Sequence, residues 1–280
     1  MKYLVGISGG IDSVVLLHKL VAGAEHELIV AHFDHGIRRD SADDARFVAG
    51  LAAQYGLPFV SERKELGPNA SEDQARRHRY AFLRKLAHEH QAVIVTAHHK
   101  NDIIETIAIN IMRGTGWRGV AVMQTAGILR PLLDISKAEI RAYALANRLE
   151  WTEDSTNSSD KYLRNRLRRL INNQITVDGR RLLLDIWQRQ LVLRMAIEDE
   201  LVKIGPEYGH SRYFYTLIDE KSAAELLRAT IMASTQTSPT RPQLTRAVLA
   251  MKTARPNTTV EIGDGVKLLF SVRSFIVETP

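Results

Sequence analysis

The sequence has no cysteine among its 280 residues, and this absence removes several classes of chemistry at once. Disulfides, thiolate zinc sites, cysteine nucleophiles and iron–sulfur clusters all require a thiol. Long hydrophobic runs are also missing, since none approaches the roughly 18 residues of a membrane span. The chain starts in an apolar run with no basic leader. We therefore expect a cytoplasmic protein without a membrane partner.

Acidic residues are fewer than basic ones, and the formal net charge is +6 with a pI near 9.5. Such a balance suits a polyanionic partner, although charge alone does not identify one. A hydrophobic content of 45% is enough for a substantial core. The length predicts one large domain and a smaller one, and it leaves the oligomeric state open, with a homodimer as one arrangement.

The first twenty residues, MKYLVGISGGIDSVVLLHKL, predict a strand, a glycine turn and a helix. The apolar run Tyr3 to Ile7 ends in Ser8-Gly9-Gly10, and Asp12-Ser13 opens the helix. Backbone N–H groups at a helix N-terminus favour an anion, and glycines allow a phosphate to approach the backbone. The G-x-x-x-x-G-K-[ST] loop is absent, because no lysine follows the glycines.

Strand and helix patterns alternate through the first half of the chain, which predicts a doubly wound, mostly parallel sheet. Its ligands should lie beyond the carboxyl ends of the strands, where the Ser8 and His98 loops fall. Two predicted helices open with capping signals, Ser71 with Gln74 and Ser136 with Glu139. The predicted segments are strands at 28–33, 58–61 and 92–99, and helices at 41–56, 71–91, 101–116 and 136–148.

Several further motifs accompany SGGIDS: HFDHGIRRDSADDA (32–45), SEDQARRHRY (71–80), TAHHKNDIIET (96–106), RGTGWRG (113–119), RPLL (130–133), EDSTN (153–157) and RNRLR (164–168). In this order and spacing they resemble the bacterial tRNA(Ile)-lysidine synthases, a family of the pyrophosphate-loop (PP-loop) ATP pyrophosphatase superfamily. The resemblance covers residues 1 to about 170. It implies an α/β, adenine nucleotide alpha hydrolase-like fold.

The resemblance also implies a reaction. Members of the family join free lysine to carbon 2 of the wobble cytidine in an isoleucine tRNA with anticodon CAU. ATP adenylates the carbonyl oxygen at carbon 2, with release of pyrophosphate, and the lysine ε-amine then displaces AMP. Longer members carry a further C-terminal domain, so we expect this chain to be a short form.

The loop residues are candidates for binding ATP and its metal. We expect the phosphates at the loop formed by Ser8, Gly9, Gly10, Ile11, Asp12 and Ser13. A carboxylate beside phosphates is repelled by them unless a cation intervenes, so Asp12 is a candidate catalytic ligand of Mg²⁺. An aspartate that interacts only with the helix dipole is the simpler alternative.

Asp102 and Glu105 are three residues apart on one predicted helical face, just after His98 and His99. Paired carboxylates suit a cationic substrate: they can bind the ammonium groups of lysine, and one can accept a proton from the attacking amine. His98 matches a catalytic histidine of the family. Asn101 and Ile103 depart from the acid and glutamine that are common there.

Arg76 matches a family arginine of the ATP and substrate cleft, where phosphate charge needs a fixed donor. Its neighbours Arg77 and Arg79 are consistent with a solvated helix face. The RNA-binding candidates are Arg113, Arg164, Arg166 and Arg168. They lie in or before a basic stretch that suits tRNA phosphates.

We predict a PP-loop catalytic domain at 1–175 and a smaller, tRNA-contacting α+β domain at 176–280. In the second domain three helical patterns precede an alternating segment, 258–278, which folds about a Gly-Asp-Gly turn into an antiparallel sheet. Two alternatives to lysidine synthesis remain. One is a PP-loop amide ligase that acts on a small molecule, and the other is a catalytically inactive tRNA-binding protein.

Overall fold

The structure, a computed structural model, describes residues 1–37, 41–67, 70–153, 163–235 and 237–278, with the backbone alone at residues 163–165 and 172. It divides into two compact units, unit 1 (Met1–Gln188) and unit 2 (Arg189–Pro280). The division falls inside one helix, α7 (Val177–Tyr208), later than the predicted boundary at 175/176.

Unit 1 is built on a parallel sheet with the strand order β3-β2-β1-β4-β5, as the alternating pattern predicts. Because β1 pairs with β2 on one edge and with β4 on the other, the chain reverses its direction of winding between β1 and β4. The sequence prediction missed the last strand, which has two residues. The strands are β1 (Lys2–Gly6), β2 (Glu27–Asp34), β3 (Phe59–Arg63), β4 (Val93–Val95) and β5 (Ile128–Leu129).

Helices cover both faces of this sheet, which agrees with the buried, apolar residues of its inner strands β1 and β4, whereas the edge strand β3 ends in exposed polar residues. Tyr3, Val5 and Ile7 belong to one core, packed against α1, α2 and α5, whereas Leu4 belongs to a second core against α3. Successive residues of a strand point to opposite faces, so β1 contributes to both cores. These helices, with α4, are α1 (Ile11–Gly23), α2 (Ser41–Gln54), α3 (Glu72–Glu89), α4 (Lys100–Met112) and α5 (Lys137–Ala146).

The predicted capping signals are present. The Ser71 side chain accepts a hydrogen bond from the Gln74 N–H, and Ser136 and Glu139 form a reciprocal capping box at α5. α6 (Leu163–Gln174) follows, and its Leu167 and Ile171 pack against Ile104 of α4. The first part of α7 then completes unit 1.

Unit 2 combines helices with a three-stranded antiparallel sheet, β6-β7-β8, and the predicted turn lies at Gly263–Gly265. Tyr215, Leu227 and Phe270 are among the fully buried side chains of its core. α8 was not predicted. The elements are α8 (Arg212–Leu217), α9 (Glu220–Thr235), α10 (Arg241–Thr253), β6 (Thr259–Gly263), β7 (Val266–Phe270) and β8 (Phe275–Glu278).

The buried side chain of Arg212 links several elements of unit 2. The Arg212 guanidinium donates to the carbonyls of Met251, Ala254 and Ser271, at 2.6 to 3.1 Å. It thereby connects α8 to the end of α10 and to the β7–β8 turn. In the part of the chain that the structure describes, no helix has both the length and the apolar character needed to cross a bilayer.

Candidate active site

A cavity of about 470 Å³ opens at the carboxyl edge of the parallel sheet, where the chain reverses its winding between β1 and β4. Ligands of doubly wound proteins bind at such reversals, because the loops of the two strands diverge there. The cavity is lined by residues of the β1–α1 loop, β2, α3 and the β4–α4 loop, together with Arg168. The loops that the sequence singles out, at Ser8 and His98, therefore meet.

The β1–α1 loop has the geometry of an anion-binding turn. Gly9 has φ +91°, and a Cβ built on it would lie 2.7 Å from the Thr152 hydroxyl oxygen. Both facts require glycine at this position. Gly10 is the N-cap of α1 and makes no side-chain capping bond, so no capping side chain covers the N-terminus of this helix. A helix N-terminus of this kind attracts an anion through its N–H groups and its dipole.

Ser8 and Ser13 hold the loop together. The Ser13 hydroxyl donates to the Gly10 carbonyl at 2.8 Å and accepts from the Ser8 N–H at 3.2 Å. Ser13 is buried, and this internal bonding positions the loop. All six predicted residues, Ser8 to Ser13, are thus in one turn, with Ile11 and Asp12 in the first turn of α1.

Asp12 has a partner that the sequence analysis missed. Its Oδ1 lies 2.5 Å from the Lys137 Nζ of α5 and 3.7 Å from the His99 Nε2. Of the carboxylates and imidazoles that the structure describes, no three come together in a group that could hold a metal ion. A metal at Asp12 would therefore have at most two such side chains of the described residues as ligands, and its other ligands would come from elsewhere.

His98 and Asp102 face the same cavity. Asp102 accepts a hydrogen bond from the His99 N–H at 2.9 Å, which makes it part of the cap of α4. Burial lowers the pKa of His98 to about 3; Arg130, Arg76 and Arg79 act in the same direction, and Asp102 opposes them. His98 is therefore a neutral imidazole at pH 7, with its Nδ1 2.9 Å from the Thr96 hydroxyl.

Glu105 is buried and pairs with an arginine from another helix. Its two carboxylate oxygens accept from Arg168 at 2.6 and 3.0 Å, a bidentate arrangement that joins α4 to α6. Arg168, which we predicted to bind RNA, lines the cavity. Because its partner is 63 positions away in the sequence, no local pattern could have indicated this pair.

Arginines of α3 supply positive charge to the cavity. Arg76 lines it, with its guanidinium carbon 4.8 Å from the centre of the Tyr80 ring. Arg79, which the sequence was consistent with placing on a solvated helix face, is half-buried and lines the cavity too. Arg77, by contrast, is exposed and pairs with Asp73 one turn earlier. Residues 76 and 79 share a helical face that 77 does not, and this spacing was the available signal.

His32 presents a buried acceptor to the cavity. Its Nδ1 lies 2.9 Å from the Ile7 carbonyl oxygen, which can only accept, so Nδ1 carries the proton in the neutral ring. Nε2 therefore carries a lone pair, and it has no partner among the described residues. His32 is only 4% exposed. A buried acceptor without a partner is costly unless a ligand or water supplies a donor.

The other RNA candidates lie away from these contacts. Arg113 is exposed at the C-terminus of α4, and Arg166 is exposed on α6. The backbone of Arg164 is in α6, but its side chain lies outside the described residues, as do residues 38–40 and 154–157 of two motifs. The missed residue of greatest interest is Lys137, a cation in the first turn of a helix, where an anion is usual.

The parallel sheet and the glycine loop at its winding reversal define a nucleotide-binding protein of the doubly wound α/β class. Residues 1–175 match the family model of the PP-loop domain. The chain belongs to the PP-loop family, and this membership implies the use of ATP. The predicted fold class is thereby confirmed, and so is the PP-loop part of the predicted resemblance.

Similar proteins include curated tRNA(Ile)-lysidine synthases. The protein of Solibacter usitatus is 36% identical over 230 residues, which are 80% of this chain and 49% of that protein. The protein of Deinococcus deserti is 41% identical over 173 residues, 59% of this chain and 32% of that protein. The chain thus spans half or less of the length of these relatives.

Among solved structures, the U34-tRNA thiolase NcsA from Methanococcus maripaludis resembles this chain with a TM-score of 0.57. The match covers 68% of this chain and 72% of NcsA, at 18% identity. At that identity the likeness shows a common fold only.

Proposed function

We propose that this protein joins lysine to carbon 2 of the wobble cytidine in an isoleucine tRNA with anticodon CAU, and that it converts ATP to AMP and pyrophosphate. The cytidine oxygen at carbon 2 attacks the α-phosphorus, and pyrophosphate leaves. The lysine ε-amine then attacks carbon 2, AMP leaves with the oxygen, and the amine loses a proton. The observation that carries the proposal is the 35 to 41% identity to curated tRNA(Ile)-lysidine synthases, which in the Solibacter usitatus match extends over 230 residues.

The residues of the cavity suit ATP. The uncapped N-terminus of α1 and the positive φ of Gly9 fit a phosphate chain at Ser8 to Ser13. Arg76 and Arg79 add charge along the cavity wall. A ligand with a hydrogen-bond donor, such as the 6-amino group of adenine, would satisfy the buried Nε2 of His32.

Asp12 would hold Mg²⁺ in this proposal. Magnesium is commonly bound by one or two carboxylates together with substrate phosphates and waters, and this agrees with a site where no three carboxylates or imidazoles of the described residues form a metal-binding group. When bound, the ion would neutralise charge on the phosphates. Asp12 would then exchange its contact with Lys137 for one with the metal.

Asp102 is our candidate for contact with lysine. It lines the cavity, and its position in the cap of α4 fixes its orientation. A carboxylate there can bind an ammonium group or accept the proton of the attacking amine. The predicted contact of Glu105 with lysine would require the Arg168 guanidinium to move, since both oxygens of Glu105 accept from it. His98, neutral at pH 7, is suited to hydrogen bonding with phosphate or base.

For tRNA, we propose backbone contacts by the exposed Arg113 and Arg166 and by unit 2. Such contacts are electrostatic and should weaken steeply with salt. Arg168 can contribute where the base enters the cavity, since its guanidinium lines the wall.

The test incubates the purified protein with Mg·ATP, lysine and an unmodified CAU-anticodon isoleucine tRNA, followed by nucleoside digestion and mass spectrometry. We expect an ATP-dependent cytidine heavier by one lysine less one water. The matched control substrate is a methionine tRNA, which has the same anticodon.

Two results would contradict the proposal in different ways. ATP cleavage to AMP and pyrophosphate with an unmodified cytidine would favour a ligase with another acceptor. tRNA binding without any ATP cleavage would favour an inactive RNA-binding protein.

A further inference from the structure

The first turn of α5 contains a charge of unexpected sign. Lys137 is the first residue of this helix, where the helix dipole favours anions and opposes cations. Its side chain is 45% exposed, and its ammonium lies 2.5 Å from Asp12 Oδ1. Asp12 follows directly on the glycine loop. A locally unfavourable placement beside the cavity is the pattern of a residue selected for function.

Hydrogen bonds from two backbone N–H groups fix where the backbone of Lys137 lies. Its own N–H donates to Asn101 Oδ1 at 3.1 Å, and the Lys100 N–H donates to the Ile135 carbonyl at 3.0 Å. The N-termini of α4 and α5 are therefore hydrogen-bonded to each other. These contacts hold the backbone of Lys137 against the N-terminus of α4, and the ion pair with Asp12 positions its ammonium.

The glycine loop itself has no lysine. In G-x-x-x-x-G-K-[ST] loops a lysine that follows the glycines reaches the terminal phosphates. In this protein α5 brings a lysine to Asp12, at the end of the loop, from 125 positions away. If a divalent cation takes the Asp12 carboxylate, the ammonium of Lys137 loses its partner at the place where the phosphates would lie.

We propose that Lys137 binds the pyrophosphate portion of ATP and stabilises it as a leaving group. This inference rests on the proposed use of ATP by the cavity. The bond between the α-phosphorus and the bridging oxygen breaks, and the electron pair remains on pyrophosphate. In this role Lys137 contributes charge and hydrogen bonds but transfers no proton.

The simpler role for Lys137 is a partly exposed ion pair that joins α5 to α1. Such pairs contribute little to stability, and they do not affect ligands selectively. The two roles differ in which ligands should lose affinity. A phosphate contact affects pyrophosphate and ATP, whereas a structural contact affects all ligands of the cavity or none.

The experiment measures binding by calorimetry with three probes, inorganic pyrophosphate, ATP and AMP, each with Mg²⁺. The variants are Lys137→Met, Lys137→Arg and, as a control, Lys85→Met, whose lysine is exposed on α3. We expect Lys137→Met to weaken pyrophosphate and ATP by about tenfold or more, a typical effect for a lost charge-assisted bond. AMP affinity should stay within about twofold of wild type. Lys137→Arg should recover most of the loss.

Several results would overturn the inference. Unchanged pyrophosphate affinity in Lys137→Met would leave Lys137 with a structural role, and so would an equal loss for AMP. If wild type binds neither ATP nor pyrophosphate, the proposed function falls as well. That outcome is distinct, because it appears before any substitution is made.

Discussion

Each unit holds an arginine among its packed elements, but the two arginines have different partners. In unit 1, Arg168 pairs with the buried carboxylate of Glu105, and its guanidinium lines the cavity. In unit 2, Arg212 is 9% exposed and all of its hydrogen bonds described above end on backbone carbonyls. A carboxylate partner makes a charge pair that a ligand can perturb, whereas carbonyl partners fix the backbone. Unit 1 thus places a charge pair beside its cavity, whereas unit 2 uses its buried arginine to hold its own backbone in place.

The largest effect should come from a change in unit 1 that removes one charge. Asp102→Asn keeps an oxygen that can accept from the His99 N–H, so the cap of α4 should persist. Loss of the carboxylate should slow lysine transfer by about 10³-fold, because neither ammonium binding nor proton transfer remains. ATP affinity should be unchanged. The experiment measures product formation and ATP binding in the same preparations, with Asp73→Asn, at an exposed position, as the control. An unchanged rate of lysine transfer in Asp102→Asn would show that Asp102 has no role in the mechanism.

The complementary change in unit 2 should affect stability alone. Arg212→Met strands the carbonyls of Met251, Ala254 and Ser271, and we expect a loss of about 3 to 5 kcal/mol in the free energy of unfolding. Arg246→Met, at an exposed position of α10, should change it by less than about 0.5 kcal/mol. All three tryptophans are in unit 1. Unfolding of unit 2 should therefore change the circular dichroism signal and leave the tryptophan fluorescence unchanged. ATP binding by unit 1 should persist.

A third prediction sharpens the difference between the partners. Arg168→Met leaves a buried carboxylate at Glu105, with an expected loss of about 2 to 4 kcal/mol at pH 7. Chemical denaturation measures this loss, and Arg166→Met, at an exposed position of the same helix, should change the free energy of unfolding by less than about 0.5 kcal/mol. Equal losses in Arg168→Met and Arg166→Met would refute the importance of the pair.

The smallest effects concern pH in the unmodified protein. Burial lowers the pKa of His98 to about 3 and that of His35 to about 4. Below about pH 6.5 the unfolded chain therefore binds protons that unit 1 does not, and unit 1 loses stability as the pH falls. Burial raises the pKa of Tyr215 in unit 2, so unit 2 should lose stability above about pH 10.

Denaturation followed by fluorescence and circular dichroism along a pH series would measure the stability of the two units. His98→Asn should reduce the loss of stability of unit 1 in acid, and Tyr215→Phe should reduce the loss of stability of unit 2 in alkali. If His98→Asn does not change how the stability of unit 1 depends on pH in acid, then native His98 is not protected from protonation.

Features that depend on local patterns or on the order of motifs could be predicted from the sequence. Gly9, Ser136 and the apolar strand at β1 each act through neighbouring residues, so the loop, the caps and the parallel sheet could be anticipated. The pairs Glu105–Arg168 and Asp12–Lys137 could not, because they join residues 63 and 125 positions apart. β5 was missed because two residues show no periodicity.

The central position of β1 has a consequence for synthesis on the ribosome. The glycine loop leaves the exit tunnel with the first strand, but the second neighbour of that strand, β4, starts only at Val93, and Lys137 comes later still. A nascent chain shorter than this carries the loop without the walls of the cavity. Nucleotide binding should therefore begin only once the chain has left the tunnel as far as α6, whose Arg168 lines the cavity, and binding by stalled chains of increasing length would reveal that threshold.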